Sequence, residues 1–476
     1  MKYLRILLIY FAFTCLVHLP FLNLPPSGSH VWRQCNTMGM ARNFSEESMN
    51  IFLPRIDRRN ETNGITGSHF PLFEWQLAGI YKLTGEHYYV ARFYSAFIFS
   101  IAMLALYLIL VQMGIKERTS VIGGLGLLSI PQFYYDSINA MPDIYALGLS
   151  LISAYYILKD GKQANNTSIL LATILAIFAG LIKFQFLIIP LAFTAYQTFD
   201  AKNIARLSIY FSFVLVPVIL WYQYAIELTK LNNLKEFGLW IKPISLETKF
   251  NTLFNNLISD VPELLIGYPI LIALIVLIFK KSYRLHNSPG MRLGLFWLAG
   301  FIVFYIIAIE RMMHHSYYFM AVLPLVLIVL VKGLVNQGWH TKYLYLIIGL
   351  NFVWSGLRII PSRWTEDKQQ IPAEFKNSNT LSAIRNSIPK GSLCLVGPDK
   401  SGCIYFYFTD TEGYSFENPS ELLSDKQEGK FMEVLERAGV KYVICDHPEE
   451  MDIIMRQLPE WREYKAFGTF KIWTHR

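Results

Sequence analysis

The apolar run YLRILLIYFAFTCLVHLPFL, Tyr3 to Leu22, and the stretch SHVWRQCNTMGMARNF that follows it, Ser29 to Phe44, decide the fold class. The run supplies the roughly 20 mostly apolar residues that a helix needs to cross the hydrocarbon core of a membrane. Because it ends in HLPFLNLPP, without a small-residue cleavage site, a retained span is expected and not a removed signal peptide. The polar stretch then lies at the far surface.

The composition extends this inference to the whole chain. The 476 residues are 53% hydrophobic and 15% aromatic, and only 16% of them are charged. The mean hydropathy of +0.33 is too high for one soluble globule. The sequence therefore predicts a polytopic α-helical membrane protein.

Apolar runs along the chain predict about eleven transmembrane helices. They lie near residues 3–23, 91–112, 120–135, 142–159, 167–182, 184–199, 207–227, 263–280, 293–310, 317–334 and 343–361. The fifth and sixth runs are short, so one re-entrant pair is an alternative for them. An odd number of spans places the two ends of the chain on opposite sides of the membrane.

The short loops on one side carry most of the positive charge. Their basic residues are Lys2, Arg5, Lys116, Arg118, Lys159, Lys162, Lys202, Arg206, Lys280, Lys281, Arg284 and Lys342. Since cytoplasmic loops are enriched in Lys and Arg, we expect a cytoplasmic N-terminus. The C-terminal part and two long loops, 24–90 and 228–262, are then external. The net charge of +8 forms no continuous basic stripe, so nucleic acid is not an expected partner.

The sequence changes character after residue 360. Short apolar runs such as SLCLVG, IYFYF and KYVIC alternate with helical patterns such as EGKFMEVLERAG, which is typical of a small α/β domain. We expect a transmembrane domain over 1–360, with interfacial helices in loop 24–90, and an external, periplasmic α/β domain over 361–476. Cys394, Cys403 and Cys445 lie in the second domain; their spacing fits no zinc motif and leaves a disulfide open.

Loop 24–90 interleaves ionisable and aromatic side chains. The ionisable residues are Arg33, Arg42, Arg55, Asp57, Arg58, Arg59, Glu61, His69 and Glu74, and the aromatic ones are Trp32, Phe44, Phe52, Phe70, Phe73 and Trp75. One interpretation is an anchor in the lipid headgroup region. The other is a reaction site, in which Trp32 and Gln34 are acceptor-binding or interfacial residues.

Ionisable residues beside other spans are expected at the same external surface. They are Asp143 in INAMPDIYAL, Lys183 in GLIKFQF, and Arg311, His314 and His315 in IERMMHHSYYFM. A charge at the centre of a membrane helix costs about 2.5–3.5 kcal/mol, so Lys183 either snorkels to the surface or binds an anion. A lipid phosphate suits the second alternative, because Lys forms charge-assisted hydrogen bonds with phosphate. The two histidines either bind the same phosphate with Arg311 or anchor the next helix.

The order of these features resembles the GT-C class of membrane glycosyltransferases, in the branch of the protein O-mannosyltransferases and the lipid A aminoarabinose transferase (ArnT-like). The resemblance is carried by WRQ and ARNF after the first span, PRID, TGSHFPLFEW, GEHYYVARF, MPD, the lysine between the fifth and sixth spans, and HHSYY. It covers about residues 1–360. It implies a sugar donor on a polyprenyl phosphate, transfer on the external face, and an acidic residue of the first external loop as catalytic base.

The sequence departs from the family pattern where this base is expected. His30, Gln34 and Asn36 surround Trp32 and Arg33 where relatives carry an acid. In the place before FP where many relatives have glutamate, this chain has His69. The identity of the base is therefore open among three residues.

Asp57 is the first candidate, because PRID lies in the right loop and Arg55, Arg58 and Arg59 would keep its carboxyl group ionised. The alternative is that Asp57 only balances these arginines. Asp143 is second, since MPD matches the family in place, although acids are also common at helix starts. His69 is third, because an imidazole with an ordinary pKa acts as a base at neutral pH.

The resemblance implies one displacement at the anomeric carbon, with inversion. The base removes the proton of the acceptor hydroxyl, which contributes roughly 10²–10⁴-fold. The donor phosphate would be bound by Arg33, Lys183, Arg311, His314 and His315, and Tyr317 is an acceptor-side or interfacial candidate. No cofactor is required, and a divalent metal held by Asp57, His69 or His315 is left open.

The expected partners are a polyprenyl-phosphate sugar, membrane lipids, and an acceptor that is a lipid, a polysaccharide or a protein. A transporter or flippase of lipid-linked sugars is the alternative function. Transporters commonly contain internal repeats, whereas this sequence has none and its unusual polar residues gather on one side. From the family branch, we expect a bacterial inner membrane and a periplasmic active site.

Overall fold

The computed structural model describes residues 1–60, 62–163, 166–200, 204–231, 243–280, 289–365, 371–418 and 439–475. The chain divides into two compact units. The first unit comprises Met1–Asn23, Ala91–Ala225 and Leu239–Thr365, and the second comprises Leu24–Val90, Ile226–Gly238 and Glu366–Arg476. The division differs from the expected boundary at residue 360, because loop 24–90 belongs to the same unit as the C-terminal residues.

The first unit is built from α-helices. Numbered along the whole chain, they are α1 (Lys2–Val17), α4 (Tyr88–Gln112), α5 (Glu117–Ser129), α6 (Pro131–Asp136), α7 (Pro142–Gln163), α8 (Asn166–Ile182), α9 (Ile188–Asp200), α10 (Ile204–Leu231), α11 (Leu246–Asn255), α12 (Tyr268–Phe279), α13 (Pro289–His314), α14 (Leu323–Asn336) and α15 (Thr341–Ile359). Short 3-10 helices lie at Leu19–Phe21, Phe184–Leu187 and Ser316–Ala321, and π-helices at Asn256–Ile266 and Ile360–Thr365.

Helices lie at all the positions where spans are predicted, but the count of about eleven transmembrane helices is not confirmed. Four helices of the described residues are long and apolar enough to cross a membrane: Tyr88–Gln112, Ser208–Leu231, Arg292–His314 and Thr341–Trp364. Leu246–Ile266 and Tyr268–Phe279, which are bent by 111° relative to each other, make a fifth if they form one span. Asn166–Ile182 and Leu323–Asn336 are shorter apolar helices.

One helix break lies inside a predicted span, and another lies between two predicted spans. The run over 120–135 breaks into α5 and α6 at Pro131, because proline has no N–H and clashes with the preceding turn. The chain between α8 and α9 breaks at Lys183, which has an extended backbone and is followed by one 3-10 turn. Lys183 therefore lies between two helices and not inside one.

The second unit contains a small mixed sheet together with helices. The helices are α2 (Val31–Glu46), α3 (Leu72–Thr84), α16 (Ala373–Lys376), α17 (Ser378–Arg385), α18 (Ile404–Thr409) and α19 (Pro448–Met455), and the strands are β1 (Leu393–Gly397), β2 (Glu412–Ser415), β3 (Tyr442–Cys445), β4 (Trp461–Phe467) and β5 (Phe470–His475). The strand order is β2-β1-β3-β5-β4. Strand β1 is parallel to β2 and β3, while β5 is antiparallel to β3 and β4.

The expected α/β character of the C-terminal part is present, with one error in the prediction. SLCLVG and KYVIC contain β1 and β3, but IYFYF forms α18. The Asp399 carboxylate explains this difference, because its Oδ2 atom accepts hydrogen bonds from the first backbone N–H groups of the helix, those of Ile404 and Tyr405, at 2.8 and 3.0 Å. Its Oδ1 atom accepts hydrogen bonds from the backbone N–H groups of Ser401 and Gly402, in the turn before the helix. The predicted helix EGKFMEVLERAG lies, except for its final glycine, outside the described residues.

Helix α2 also differs from the expected interfacial helix. Thirteen of its sixteen residues are buried, including Arg33, Arg42 and Asn43. An interfacial helix would expose a polar face to water and an apolar face to lipid. Arg33 of α2 instead contacts His69, and Arg42 and Asn43 bond to Asp57, so α2 is part of a folded core.

The five cysteines are free thiols in the structure. In the register of the parallel pair β1 and β3, Cys394 lies opposite Tyr442, and Cys445 lies opposite Gly397. Cys394 and Cys445 therefore form no disulfide in the structure. Cys403 lies at the end of the loop that follows β1, as the residue before α18.

Candidate functional site

A buried cluster of Arg33, His69 and Glu74 lies in the second unit. Arg33 is in the first turn of α2, His69 precedes α3, and Glu74 lies in the first turn of α3. The Nε2 atom of His69 is 2.9 Å from Oε1 of Glu74, and Nη2 of Arg33 is 3.3 Å from Nδ1 of His69. The three residues are 6%, 5% and 0% exposed, respectively. The structure thus brings together two predicted site residues and a carboxylate that the sequence analysis gave no role.

The hydrogen-bond partners assign the tautomer of His69. Arg33 is only a donor, so the Nδ1 atom that faces it is an acceptor. The hydroxyl of Ser68 lies 2.9 Å from the same nitrogen and donates to it in this arrangement. The ring proton is then on Nε2, which donates to Glu74. An imidazole held in this way presents the Nδ1 lone pair away from the carboxylate that orients it.

The charges of the cluster decide the ionisation of Glu74. Burial disfavours the carboxylate, but the positive charge of His69 in its protonated form, the hydrogen bond from this ring and the charge of Arg33 together outweigh burial and lower the pKa of Glu74. The Oε2 atom of Glu74 has no hydrogen-bond partner among the described residues. Glu74 is therefore an ionised, fully buried carboxylate with His69 as its partner.

Asp57 is bound in a different way from the one expected from its neighbours. Its Oδ2 atom lies 3.0 Å from Nη2 of the buried Arg42, and its Oδ1 atom accepts a 2.8 Å hydrogen bond from the Asn43 amide. The flanking residues Arg55 and Arg59 are paired with other acids. Helix α2 therefore supplies the hydrogen-bond partners of both Asp57 oxygens, and Arg59 acts on Asp57 through its charge.

Trp32 and Gln34 are the other two residues of α2 that were predicted as site residues. The Gln34 amide nitrogen donates a 3.1 Å hydrogen bond to the carbonyl of Ser27, and Gln34 is buried. Trp32 is half-buried. Both lie in the same two turns of α2 as Arg33.

A second cluster lies in the first unit, around the helix break at Lys183. The Nζ atom of Lys183 is 4.0 Å from Oδ1 of Asp143, whose side chain is fully buried in the first turn of α7. It also lies 5.6 and 5.7 Å from the ring centroids of Tyr317 and Tyr318. The Gln185 amide is 3.5 Å from the same Asp143 oxygen, and Oδ2 of Asp143 has no hydrogen-bond partner among the described residues.

The basic residues before the 3-10 helix Ser316–Ala321 lie in the same unit. Arg311 pairs with the adjacent Glu310 at 3.3 Å. His314 is exposed, and the His315 ring stacks on Tyr317 with a centroid distance of 5.2 Å. Because Tyr317 also faces Lys183, the structure connects His315 with the lysine through this ring.

Three residues of these clusters were not predicted from sequence as site residues. Glu74 lies five positions after His69, but a helix-start acid is too common to be singled out without the contact. Arg42 is the partner of Asp57 across fifteen positions, and Gln185 shares Asp143 with Lys183. No sequence spacing marks such pairs.

The described residues contain no group of three or more His, Cys, Asp or Glu side chains that would hold a metal ion. The candidates Asp57, His69 and His315 are not brought together as a ligand set. Asp57 is bonded to Arg42, His69 to Glu74, and His315 is stacked on Tyr317. The described side chains thus provide no compact metal centre.

Comparison with known proteins supports the resemblance inferred from sequence. Residues 68–221 match the family model described as "Dolichyl-phosphate-mannose-protein mannosyltransferase". No curated protein sequence matches the chain at a significant level. The matched segment includes His69, Glu74, Asp143 and Lys183, so the family model spans residues of both clusters.

Solved structures match over almost the whole chain. ArnT from Cupriavidus metallidurans in the apo state has a TM-score of 0.66 at 11% identity, covering 98% of this chain and 97% of that one. The same protein bound to undecaprenyl phosphate gives 0.62 at 12% identity, with the same coverage. The Archaeoglobus fulgidus oligosaccharyltransferase tethered with an acceptor peptide gives 0.55 at 13% identity, covering 100% of this chain and 74% of that one. These proteins share the GT-C fold, and the chain has this fold.

Proposed function

We propose that this protein, a membrane protein with the GT-C fold, transfers a sugar from a polyprenyl-phosphate donor to an acceptor hydroxyl. The observation that carries the proposal is Lys183, a lysine at a helix break that faces one carboxylate and two tyrosine rings. The family match and the undecaprenyl phosphate bound in the ArnT structure support a lipid phosphate as its ligand. We place the reaction on the external face of a bacterial inner membrane, with the N-terminus cytoplasmic.

Lys183 is suited to a phosphate because its ammonium group lies at a helix break and makes a long contact with Asp143. At 4.0 Å, the Asp143 contact is longer than the roughly 2.7–2.9 Å of a strong charge-assisted hydrogen bond, and the same carboxylate oxygen is also approached by Gln185. A phosphate group offers several negatively charged oxygens to the ammonium group, whereas Asp143 offers one oxygen that Gln185 also approaches. The tyrosine rings add favourable cation–π contact with the ammonium group.

Arg33, Arg311, His314 and His315 are proposed as further phosphate-binding residues. His315 stacks on a tyrosine that faces Lys183, which supports its assignment to the same donor. Arg33 has an Nε atom without a hydrogen-bond partner among the described residues. An arginine fork with a free N–H suits a phosphate oxygen.

For the catalytic base we propose His69. Its Nδ1 atom is an acceptor that Arg33 and the Ser68 hydroxyl approach in the structure, at 3.3 and 2.9 Å, so both must leave this nitrogen when an acceptor hydroxyl binds, and Arg33 then turns to the donor phosphate. The buried Glu74 carboxylate holds the ring proton on Nε2. A carboxylate behind an imidazole stabilises the imidazolium that forms when Nδ1 takes a proton. The arrangement replaces the acid that relatives carry in this loop by a histidine and a carboxylate.

The two acids ranked above His69 have other roles in this proposal. Both carboxylate oxygens of Asp57 are occupied by Arg42 and Asn43, so accepting a proton would break a buried ion pair. Asp143 orients Lys183, and its second oxygen has no described partner. Asp57 is therefore proposed as a structural residue and Asp143 as the counter-ion of Lys183.

The chemical step is one displacement. The acceptor oxygen bonds to the anomeric carbon while the bond from that carbon to the phosphate oxygen breaks. The acceptor proton goes to Nδ1 of His69, and the bonding electron pair leaves with the phosphate, where Lys183 stabilises the charge. A single displacement inverts the anomeric configuration. Trp32, Gln34 and Tyr317 are proposed on the acceptor side, and no step requires a metal.

The test is release of polyprenyl phosphate from radiolabelled polyprenyl-phosphate sugars by the purified protein in detergent, with cell-envelope extract as acceptor. We expect turnover by the wild type, a loss of about 10–100-fold in kcat/KM for Lys183→Ala, and unchanged turnover for Lys342→Ala, an exposed lysine at the start of α15. Turnover in detergent contradicts a transporter, since no second compartment exists. Binding of the donor without release by any extract would overturn the transferase proposal.

A further inference from the structure

The segment Leu246–Ile266 carries an apolar stripe that no described residue covers. It consists of α11 and the π-helix Asn256–Ile266, and its N-terminus is capped by Ser245, whose hydroxyl accepts a 3.1 Å hydrogen bond from the N–H of Thr248. Its large exposed apolar side chains are Leu246, Phe250, Leu253, Phe254, Leu257 and Ile258. Phe250 is 70% exposed and Phe254 is 62% exposed, which is costly in water.

The helix around this stripe has three distinct faces. With about 100° per residue, Leu246, Phe250, Leu253, Phe254 and Leu257 fall within an arc of about 100°, which is the width of one amphipathic face. Asn251 and Asn255 lie on the next face and are exposed. Thr252 and Asn256 are buried on the third face, where the Asn256 amide donates a 3.0 Å hydrogen bond to the Tyr305 hydroxyl of α13.

A fixed bend ends this segment at Gly267. The axis turns by 111° into α12. Gly267 has φ +87°, and a Cβ atom there would lie 2.3 Å from the side-chain oxygen of Asn351. The Asn351 amide donates hydrogen bonds to the carbonyls of Ile266, at 3.1 Å, and Ser129, at 2.7 Å. The bend is therefore set by a glycine and by contacts with α15.

Helix α12, which comes after the bend, packs alongside the helix Thr341–Trp364. Tyr268, at the start of α12, packs on Trp354 with a centroid distance of 4.9 Å, and Lys280, at its end, lies 4.8 Å from the Trp339 ring. Helix α12 thus runs antiparallel to Thr341–Trp364, which is long and apolar enough to cross a membrane. A segment at 111° to α12 must then lie nearly in the membrane plane.

The depth of the segment is marked by charges. Glu263 pairs with Arg358 at 3.1 Å, and the Trp354 indole donates a 3.1 Å hydrogen bond to the Glu263 carbonyl. Paired charges and an indole N–H are typical of the boundary between headgroups and acyl chains. On the other side of the bend, Ile272 and Ile278 of α12 are 58% and 64% exposed, so the apolar stripe continues into a lipid-facing helix.

We propose that Leu246–Leu257 is an in-plane membrane-surface helix whose Leu/Phe stripe is inserted among the acyl chains of the outer leaflet. Asn251 and Asn255 then face water, and Thr252 and Asn256 face the protein. A second copy of the chain is not the occupant, because five side chains are far fewer than the roughly 20–30 residues a side of a stable interface. The helix holds the external end of the membrane unit at the depth of lipid phosphates.

The test compares neighbouring residues on two faces. In a Cys15→Ser background, nitroxide labels are placed at Phe254→Cys and Asn255→Cys, and repeated at Phe250→Cys and Asn251→Cys. The other four native cysteines are buried and do not compete for the label. The protein is reconstituted in vesicles of phosphatidylethanolamine and phosphatidylglycerol, and collision with oxygen and with a water-soluble nickel chelate is measured.

We expect the labels at 250 and 254 to collide several-fold more with oxygen than with the chelate, and those at 251 and 255 to show the reverse. Access of all four labels to the chelate would mean a water-exposed loop and would overturn the proposal. Access of all four to oxygen alone would mean a segment that enters the bilayer core, and shielding at 254 from both reagents would mean a protein partner. Each of these outcomes contradicts an in-plane helix, whether or not the protein transfers sugar.

Discussion

The Nε2 atom of His69 lies 2.9 Å from Oε1 of Glu74, and the Glu74 side chain has no exposed surface. This contact joins two residues five positions apart into one acid–base unit, with Arg33 on the opposite side of the ring. In the proposed mechanism, this pair replaces the acid that the family resemblance places in the first external loop. Substitutions of Glu74, Asp57 and His69 are therefore expected to have different effects on activity and on stability.

Replacing Glu74 by Gln should change the pH dependence of the reaction. The carboxylate stabilises protonated His69, so its removal should move the acid limb of the kcat/KM profile to lower pH and reduce the plateau by about 10–100-fold. The measurement is donor consumption between pH 4.5 and 9. Glu450→Gln, at an exposed glutamate of the same unit, is the matched control. A reduced plateau with an unmoved acid limb would leave Glu74 with a structural role only.

The same substitution should have a pH-dependent effect on stability. The pKa of Glu74 is lowered in the folded protein, so its ionisation stabilises the fold above its ordinary pKa of 4.5, and this contribution is lost as the pH falls through the lower folded value. Glu74→Gln should therefore lower the thermal midpoint at pH 7, and the difference from wild type should shrink below pH 4.5. A constant difference across this range would contradict an ionised Glu74.

Asp57 and His69 should respond differently to substitution. Asp57→Asn removes one of two carboxylates that pair with the buried Arg42 and should destabilise the fold by about 1–3 kcal/mol, since Asp410 still pairs with Arg42 at 2.9 Å. The kcat of the folded fraction should stay within about tenfold, whereas His69→Ala should lower it by at least about 100-fold with a smaller effect on unfolding. Thermal unfolding and turnover are measured on the same preparations. Near-complete loss of kcat in a stable Asp57→Asn protein would return Asp57 to the role of base.

The contact between α2 and Asp57 can be tested at Gly39. A Cβ atom on Gly39 would lie 2.7 Å from Oδ2 of Asp57, so Gly39→Ala forces this carboxylate away from Arg42. We expect a loss of about 1–3 kcal/mol in stability. Gly79→Ala is the matched control in α3, because nothing lies within 4 Å of its Cβ position and alanine favours helix. This control should gain up to about 1 kcal/mol, and an equal loss at both sites would indicate a general intolerance of the second unit.

Some features of the candidate site followed from local sequence. Lys183 was identified because a lysine between two apolar runs is costly unless it meets water or an anion, and the structure places it at a helix break beside Asp143. HHSYY was identified in the same way, and His315 and Tyr317 stack in the structure. Such residues are visible because the cost of burying a charge depends on the immediate run of the chain.

The partners of charged residues were not predictable in the same way. The arginines adjacent to Asp57 suggested its counter-ions, but Arg42, one α-helix away, fills that place. The apolar run IYFYF fits a strand or a buried helix equally well, and the Asp399 carboxylate, which accepts hydrogen bonds from the first N–H groups of α18, decides for the helix. These outcomes depend on which distant segments meet.

The sequence by itself determined the membrane class, the places of the apolar helices and the resemblance to GT-C enzymes, because hydropathy and motif order are properties of successive residues. Only the tertiary structure decided that His69 is held by Glu74, that Asp57 is held by Arg42, and that the segment Leu246–Ile266 is bent by 111° relative to α12. Hydrogen bonds and ion pairs form between atoms a few ångströms apart, and folding sets these distances independently of the separation along the chain.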